Sequence, residues 1–302
     1  MKTLSLDYTF EKESGALALI SASEKQFEEQ LKLCAQRLLD TGVRIAALSG
    51  PSCSGKTTAS NKLTEHFEAA GKRIHVVSID NFYYDRDILI ERSRTKGGKI
   101  DFDSPSTINF AYLKECFDKI VNRQTVDLPI FDFKIGRADK HERVCPDEVD
   151  LFLFEGIQAL YDEFYEIIKD IPHLTVFISP ESKIKIGAEL FRPQDIRLSR
   201  RIVRDSLYRN TDPSFTLELW KGVRENEEIH IFPNKHNADI ILDSTLAYEP
   251  CVIKERLVAL LLGVSAEDEN YSEIEMLIKK YYGVPALSEE LVPEGSVFKE
   301  FI

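Results

Sequence analysis

The sequence is short of the features that define several protein classes. It has only five cysteines: Cys34, Cys53, Cys116, Cys145 and Cys251. They are odd in number and widely spaced, with no C-x-x-C pair, which excludes a disulfide scaffold and a thiolate zinc ribbon. Free thiols in a reducing, cytoplasmic setting are the expectation. The six histidines are scattered without metal-ligand spacing. Positive charge is scarce: 39 Lys and Arg stand against 51 Asp and Glu, for a net charge of −12. A broad nucleic-acid-binding surface needs clustered basic residues, so nucleic acid is not an expected partner and any anion site must be a local basic island. The longest strongly apolar run, Leu257 to Val264, is far too short to span a bilayer. Within Met1 to Ile20, Asp7, Glu11, Lys12 and Glu13 precede a short apolar patch, the wrong order for a signal peptide. No internal repeat or low-complexity tract is present. What remains is 302 residues at 43% hydrophobic content, enough to bury a sizeable core as one large α/β domain or two modest ones.

Against that background one stretch stands out. Gly50-Pro51-Ser52-Cys53-Ser54-Gly55-Lys56-Thr57 fits G-x-x-x-x-G-K-[ST], the phosphate-binding P-loop. The apolar run Val43 to Leu48 precedes it. Thr57 to Ala70 follows as a helix with Leu63, Phe67 and Ala70 on one face. This is the strand, loop, helix order that the motif requires. Backbone N–H groups of the loop, through Thr58, would cradle the phosphates of ATP or another nucleoside triphosphate. Lys56 would reach the β- and γ-phosphates, and the Thr57 hydroxyl would ligate Mg²⁺.

The rest of the chain reads as alternating strands and helices. Leu4, Leu6, Tyr8 and Phe10, then Ala16 to Ile20, suggest a small hairpin around Ser14-Gly15. Glu24 to Leu39 has helical spacing. Ile74 to Ile79 reads as a buried strand ending at Asp80, and Val149 to Phe154 as a second central one ending at Glu155-Gly156. Between them lie a long polar block, 81–103, a helix at Ile108 to Val121, an alternating aromatic strand at Leu128 to Phe133, and a turn at Ile135-Gly136-Arg137. A helix at Ala159 to Ile168, a strand at Leu174 to Ser179, helices at Asp195 to Tyr208 and Leu217 to Glu228, and a short strand at Asp239 to Asp243 complete the pattern. The remainder is mostly helical. The fold class expected is α/β: a P-loop NTPase-type parallel sheet with helices on both faces, an arginine-bearing lid helix and a helical C-terminal tail. The expected division is an extension at 1–40, a P-loop domain at 41–250, and a tail at 251–302 packed on it.

In open parallel sheets ligands lie beyond the carboxyl ends of the strands. Three expected strands end there in functional groups: the P-loop, Asp80 and Glu155. Glu155 fits a carboxylate that organises Mg²⁺. Asp80 is then free to act as a base toward an acceptor hydroxyl. Arg197, Arg200, Arg201 and Arg204 stand at i, i+3, i+4 and i+7, on one helical face. They read either as a solvated face neutralised by Asp195 and Asp205, or as a lid that stabilises charge on a transferring phosphoryl group. The second reading makes Arg197 and Arg200 catalytic and places Arg201 on the nucleotide.

These residues carry a resemblance. The P-loop, Ser78-Ile79-Asp80-Asn81-Phe82-Tyr83, Asp101-Phe102-Asp103-Ser104-Pro105, Pro129-Ile130-Phe131-Asp132-Phe133, Leu153-Phe154-Glu155-Gly156 and the arginine run to Asp205 follow in the order of the uridine kinase and phosphoribulokinase superfamily. The chain is most similar to the uridine kinase-like nucleoside kinases. Trp220, Val223-Arg224, Ile231-Phe232-Pro233, Ala238-Asp239 and the end of the tail resemble a long bacterial-type branch. The resemblance implies that Asp80 activates a 5′-hydroxyl, that Asp103 grips ribose hydroxyls, and that Tyr83, Phe131 and Phe133, with Arg137 nearby, wall a nucleoside pocket. It departs from the pyrimidine-specific members by lacking a histidine just after Phe133 and by placing Phe131 where they have tyrosine. Base identity therefore stays open.

The expected activity is ATP-dependent phosphorylation of a ribonucleoside, uridine or cytidine, with a small-molecule acceptor as partner. Another alcohol, a sugar phosphate or pantothenate, stays open through Arg92, Arg94, Lys96 and Lys99. A switch GTPase is disfavoured because Asn234-Lys235-His236-Asn237 lacks the final acid of N-K-x-D. A motor ATPase is disfavoured because Gly156 follows Glu155. A non-catalytic nucleotide-binding regulator is disfavoured by the intact Lys56, Thr57, Asp80 and Glu155. Assembly as a homo-oligomer is compatible with the sequence.

Overall fold

The computed structural model describes residues 1–6, 13–94 and 102–302. The first elements are strand β1 (Thr3–Leu6), the long helix α1 (Glu13–Thr41), β2 (Ile45–Ser49), α2 (Lys56–Ala69) and β3 (Ile74–Ser78). A second group comprises α3 (Arg86–Arg94), α4 (Phe110–Val121), β4 (Val126–Asp132), β5 (Arg137–Val144), β6 (Leu151–Glu155) and α5 (Asp162–Ile168). Then come β7 (His173–Ser179), β8 (Lys183–Ile186), β9 (Glu189–Phe191), α6 (Pro193–Arg209), α7 (Pro213–Asn226), β10 (Ile240–Asp243), α8 (Glu249–Leu262) and α9 (Tyr271–Tyr282).

Five strands form the central sheet in the order β10-β7-β2-β6-β3, and every pairing in it is parallel. Period-2 alternation sends neighbouring residues of each strand to opposite faces. Ala46 and Leu48 of β2, with Leu151 and Leu153 of β6, join one core with Phe27 and Leu31 of α1, Leu63 of α2, Ile202 of α6 and Leu257 of α8. Ile45 and Ala47, with Phe152 and Phe154, join the other core with Leu113 and Phe117 of α4 and Phe164 of α5. Helices therefore cover both faces, as the uninterrupted apolar strands require. The register aligns Leu48 with Glu155 and Ser78 with Glu155, so the P-loop, Asp80 and Glu155 leave the same edge of the sheet side by side.

The expected N-terminal hairpin is not formed. Ser14 and Gly15 lie inside α1, whose buried residues Ala16, Ile20, Phe27, Leu31, Ala35 and Leu38 make one continuous stripe at helical spacing. The patch at 16–20 that reads as a strand is the first turns of that stripe. β1 instead pairs in parallel with β8, Leu4 opposite Ile184. Tyr8 and Phe10 lie outside the described residues. The aromatic strand β4 gains an antiparallel partner in β5, and Gly136 at φ +82° makes the turn between them. Among the described residues no helix is long and apolar enough to cross a membrane.

Candidate active site

The P-loop is a tight arch between β2 and α2. Its conformation depends on residues in the left-handed region, Cys53 at φ 58° and Gly55 at φ 94°. At Gly50 the constraint is close approach: a Cβ there would sit 2.1 Å from the Ile178 carbonyl oxygen of β7. Lys56 Nζ curls over the arch and donates to the carbonyls of Gly50 at 3.0 Å and Pro51 at 3.3 Å. Ser54 Oγ is buried and, among the described residues, has no hydrogen-bond partner.

Ser52, Cys53, Ser54, Gly55, Lys56 and Thr57 line one side of a cavity of about 1170 Å³. Asp80 and Glu155 stand on its floor. Burial raises the Asp80 carboxyl above the ordinary carboxylate range, and a hydrogen bond from Gln158 and the Lys56 charge oppose that rise. Gln158 is fully buried, and its Nε2 donates to Asp80 Oδ1 at 3.1 Å. Burial likewise pushes the Glu155 carboxyl up to about 7, with Lys56 opposing and the Asp80 and Glu300 carboxylates adding to the rise. Both carboxyls line the cavity and feel the Lys56 charge.

The opposite wall is aromatic. Tyr83 packs on Phe131 at 5.7 Å and on Phe133 at 6.0 Å between ring centroids, and the two phenylalanines meet at 5.1 Å. The Asn81 side chain fixes this wall, accepting from the Phe131 N–H at 3.0 Å. Asp103 faces the same cavity, and its carbonyl accepts from the Tyr161 hydroxyl at 2.8 Å. The Tyr83 hydroxyl donates to the Phe102 carbonyl at 2.9 Å, which ties the far end of the 81–103 block to the wall. Asp101 lies outside the described residues.

The arginine face divides by depth. Arg197 is buried and makes a bidentate pair with Glu227 at 2.5 and 2.7 Å, while its Nη1 also donates to the Ser52 carbonyl at 3.1 Å. Arg200 is buried against Glu249 and donates to the carbonyls of Cys53 and Ser244. Neither lines the cavity, so the expectation that these two arginines act on the transferring group is corrected. Arg197 holds the Ser52 carbonyl and Arg200 the Cys53 carbonyl from behind the P-loop, and among the described residues Arg197 Nε has no hydrogen-bond partner. Arg201 and Arg204, one turn further along α6, do line the cavity, together with Arg209. All three are gathered on the buried Asp205 carboxylate at 3.4, 2.6 and 3.5 Å, and Arg201 Nη1 also donates to Ser52 Oγ at 3.1 Å.

The structure thus brings Ser52 to Thr57, Asp80, Tyr83, Asp103, Phe131, Phe133, Glu155 and Arg201 to one cavity. Gly50 and Thr58 stand behind its wall. Arg137 is an exposed residue at the start of β5, opposite Asp132, and does not line the cavity. Arg86 and Lys134 take the basic positions there. Arg86 reaches back to the Phe133 carbonyl at 2.7 Å, and its N–H donates to the Gly136 carbonyl. Arg92 lies over the Tyr84 ring at 3.9 Å, and Lys96 and Lys99 fall outside the described residues. Sequence reading missed Gln158, Arg86, Arg209 and Glu300. The signal available for Gln158 is its place two residues after Gly156, just beyond the end of β6.

The model of the Phosphoribulokinase / Uridine kinase family matches residues 45–248. Uridine kinase-like protein 4 of Arabidopsis thaliana is 27% identical over 199 residues, 66% of this chain and 38% of that protein. The chain therefore spans well under half the length of that plant relative. The uridine kinase of Halobacterium salinarum is 26% identical, covering 65% of this chain and 77% of its own length. That of Lactococcus lactis subsp. cremoris MG1363 is 30% identical, covering 66% and 86%. Among solved structures, a candidate fructose transport system kinase of Silicibacter sp. TM1040 superposes with a TM-score of 0.54 at 21% identity, over 70% of this chain and 98% of that one. This last likeness is one of fold.

Proposed function

The chain belongs to the phosphoribulokinase/uridine kinase family, and from that premise we propose that it is an ATP-dependent kinase acting on the 5′-hydroxyl of a ribonucleoside, uridine or cytidine. The observation that carries this reading is one cavity lined together by a P-loop lysine, a half-buried aspartate and an aromatic wall. Pockets for one drug-sized ligand run to roughly 300–1,000 Å³, so a volume of about 1170 Å³ has room for donor phosphates and a small acceptor together. The uridine kinases among its relatives make a nucleoside the first acceptor to test.

In this reading Lys56 leaves its own loop carbonyls for the β- and γ-phosphates, and Arg201, Arg204 and Arg209 neutralise charge that spreads onto the transferring group. Asp80, its Oδ1 held by Gln158, takes the proton from the acceptor hydroxyl as that oxygen bonds to the γ-phosphorus. The bond from phosphorus to the β-phosphate oxygen breaks, and ADP departs. Mg²⁺ suits the hard oxygen donors Thr57 and Glu155, and when bound it would neutralise charge between the β- and γ-phosphoryl oxygens. A cation held by Glu155 would offset the Asp80 charge, which adds to the rise that burial imposes on the Glu155 carboxyl. Asp103 accepts from the vicinal 2′- and 3′-hydroxyls, and Tyr83, Phe131 and Phe133 offer stacking surface to the base.

A second reading, a phosphorylated sugar as acceptor, is favoured by Arg86 and Lys134 on the acceptor side of the cavity. An acceptor panel separates the two. With Mg-ATP, uridine should exceed 2′-deoxyuridine by about 10⁴-fold in kcat/KM, since a site built for a hydroxyl rejects the analogue that leaves it unpaired. Asp103→Ala should erase that preference. Activity with a pentose phosphate and none with any nucleoside would transfer the assignment to the second reading.

A further inference from the structure

The segment 293–302 lies beyond the residues matched by the family model, yet it reaches the P-loop helix. Its Glu300 carboxylate accepts from the Thr58 hydroxyl at 2.9 Å and from the Thr58 N–H at 3.4 Å. Thr58 is in the first turn of α2, where backbone N–H groups have no partner within the helix. That turn and its positive dipole end are the donors that a P-loop offers to a nucleotide's phosphates. Glu300, not Thr58, is what the cavity wall presents at this point.

We propose that the Glu300 carboxylate occupies the place of a nucleotide phosphate on Thr58, so that the 293–302 segment sets the affinity of the P-loop for its donor. The proposal rests on the P-loop being the nucleotide site. The segment is fastened too firmly to leave when a nucleotide arrives. Val297, Phe298 and Phe301 are fully buried, and Val297 Cγ2 fills the space a side chain at Gly55 would need, 2.4 Å from its Cβ position. Ser296 Oγ donates to Glu24 at 2.6 Å and caps the following turn through the Phe298 N–H. Arg200, which holds the P-loop carbonyl of Cys53, lies over the Phe301 ring at 4.8 Å. The Tyr208 hydroxyl donates to the Ile302 carbonyl at 3.1 Å. What can move is the Glu300 side chain alone. An arriving phosphate must displace it and then bear a carboxylate in the same cavity. Each nucleotide bound thus gives up the charge-assisted bonds that Glu300 makes in its absence.

Inorganic tripolyphosphate is the direct probe, because it reads the phosphate site whatever the donor base and whatever the acceptor. Its binding, and that of Mg-ATP, is measured by calorimetry on the full chain, with Glu300→Ala, the same-shape Glu300→Gln, and Lys56→Ala as the control that locates binding at the P-loop. Both Glu300 variants should bind tripolyphosphate more tightly, the alanine by about tenfold, the scale of one hydrogen bond to a charged group. The affinity for adenosine, which has no phosphate, should not change. Unchanged or weaker tripolyphosphate binding in both Glu300 variants overturns the proposal while leaving the P-loop as the nucleotide site. Binding that is insensitive to Lys56→Ala, or absent from all the proteins, removes the P-loop reading and the proposal with it.

Discussion

Arg200 and Glu249 meet as a fully buried bidentate pair, Nη2 to Oε1 at 2.5 Å and Nε to Oε2 at 2.7 Å, and the same guanidinium holds the Cys53 carbonyl at 3.1 Å. The basic face of α6 is thereby two things at once. Arg200 braces the P-loop against α8 and Arg197 braces it against Glu227 after α7, while Arg201 and Arg204 line the cavity.

The two sets should separate on mutation. Arg200→Ala strands a buried carboxylate, a loss of about 3–5 kcal/mol, and thermal melts should show it. Arg201→Ala and Arg204→Ala should melt close to the parent but lose turnover, up to about 10³-fold if either one neutralises the transferring group. A stable Arg200→Ala protein with selectively reduced kcat would return Arg200 to the catalytic set.

Asp80 and Gln158 predict a pH effect. Burial raises the Asp80 carboxyl and the Gln158 hydrogen bond restrains it, so Gln158→Leu should raise it further. A base works ionised, and its rate is lost as pH falls through its pKa. The acid limb of the kcat profile should therefore move to higher pH in Gln158→Leu, with the KM for ATP little altered. Asp80→Asn should lose about 10²–10⁴ in kcat while still binding ATP. A Gln158→Leu profile that overlays the parent's would make Gln158 a packing residue.

Glu155 predicts a stability effect in the absence of ligand. Its carboxyl stands at about 7 in the folded chain against an ordinary 4.5. Between those values the folded state holds a proton that the unfolded state has released, so the stability this gives is complete below about 4.5 and is lost as pH rises through 7. Glu155→Gln, neutral throughout, should melt like the parent at the acid end and above it at pH values past 7. The gap should be at most about 3.5 kcal/mol, since each pKa unit is worth about 1.4 kcal/mol. A gap that does not change with pH would mean that Glu155 is not the group that titrates.

Much of this was legible in the sequence because the informative residues are neighbours there. The P-loop and its flanking strand and helix, and the acids at the ends of β3 and β6, follow from periodicity and spacing over a dozen residues. The depth of Arg197 and Arg200 does not, because their partners Glu227 and Glu249 lie 30 and 49 positions away and helical spacing reports direction only. β5 was hidden by its composition: Arg137–Val144 is exposed along most of its length and shows no apolar alternation. The hairpin expected at 1–22 failed for the opposite reason, because a short apolar patch fits either period until its continuation into α1 decides. Glu300 is 242 positions from Thr58, beyond the reach of any local pattern.

The activity proposed for this cavity is the transfer of a phosphoryl group from ATP to a ribonucleoside. The direct test follows γ-labelled ATP with uridine and Mg²⁺ and identifies where the label goes. The account predicts label in the 5′-monophosphate, one ADP released for each, and loss of both with Lys56→Ala and with Asp80→Asn. Label released only as inorganic phosphate, at a rate that uridine does not change, would contradict it.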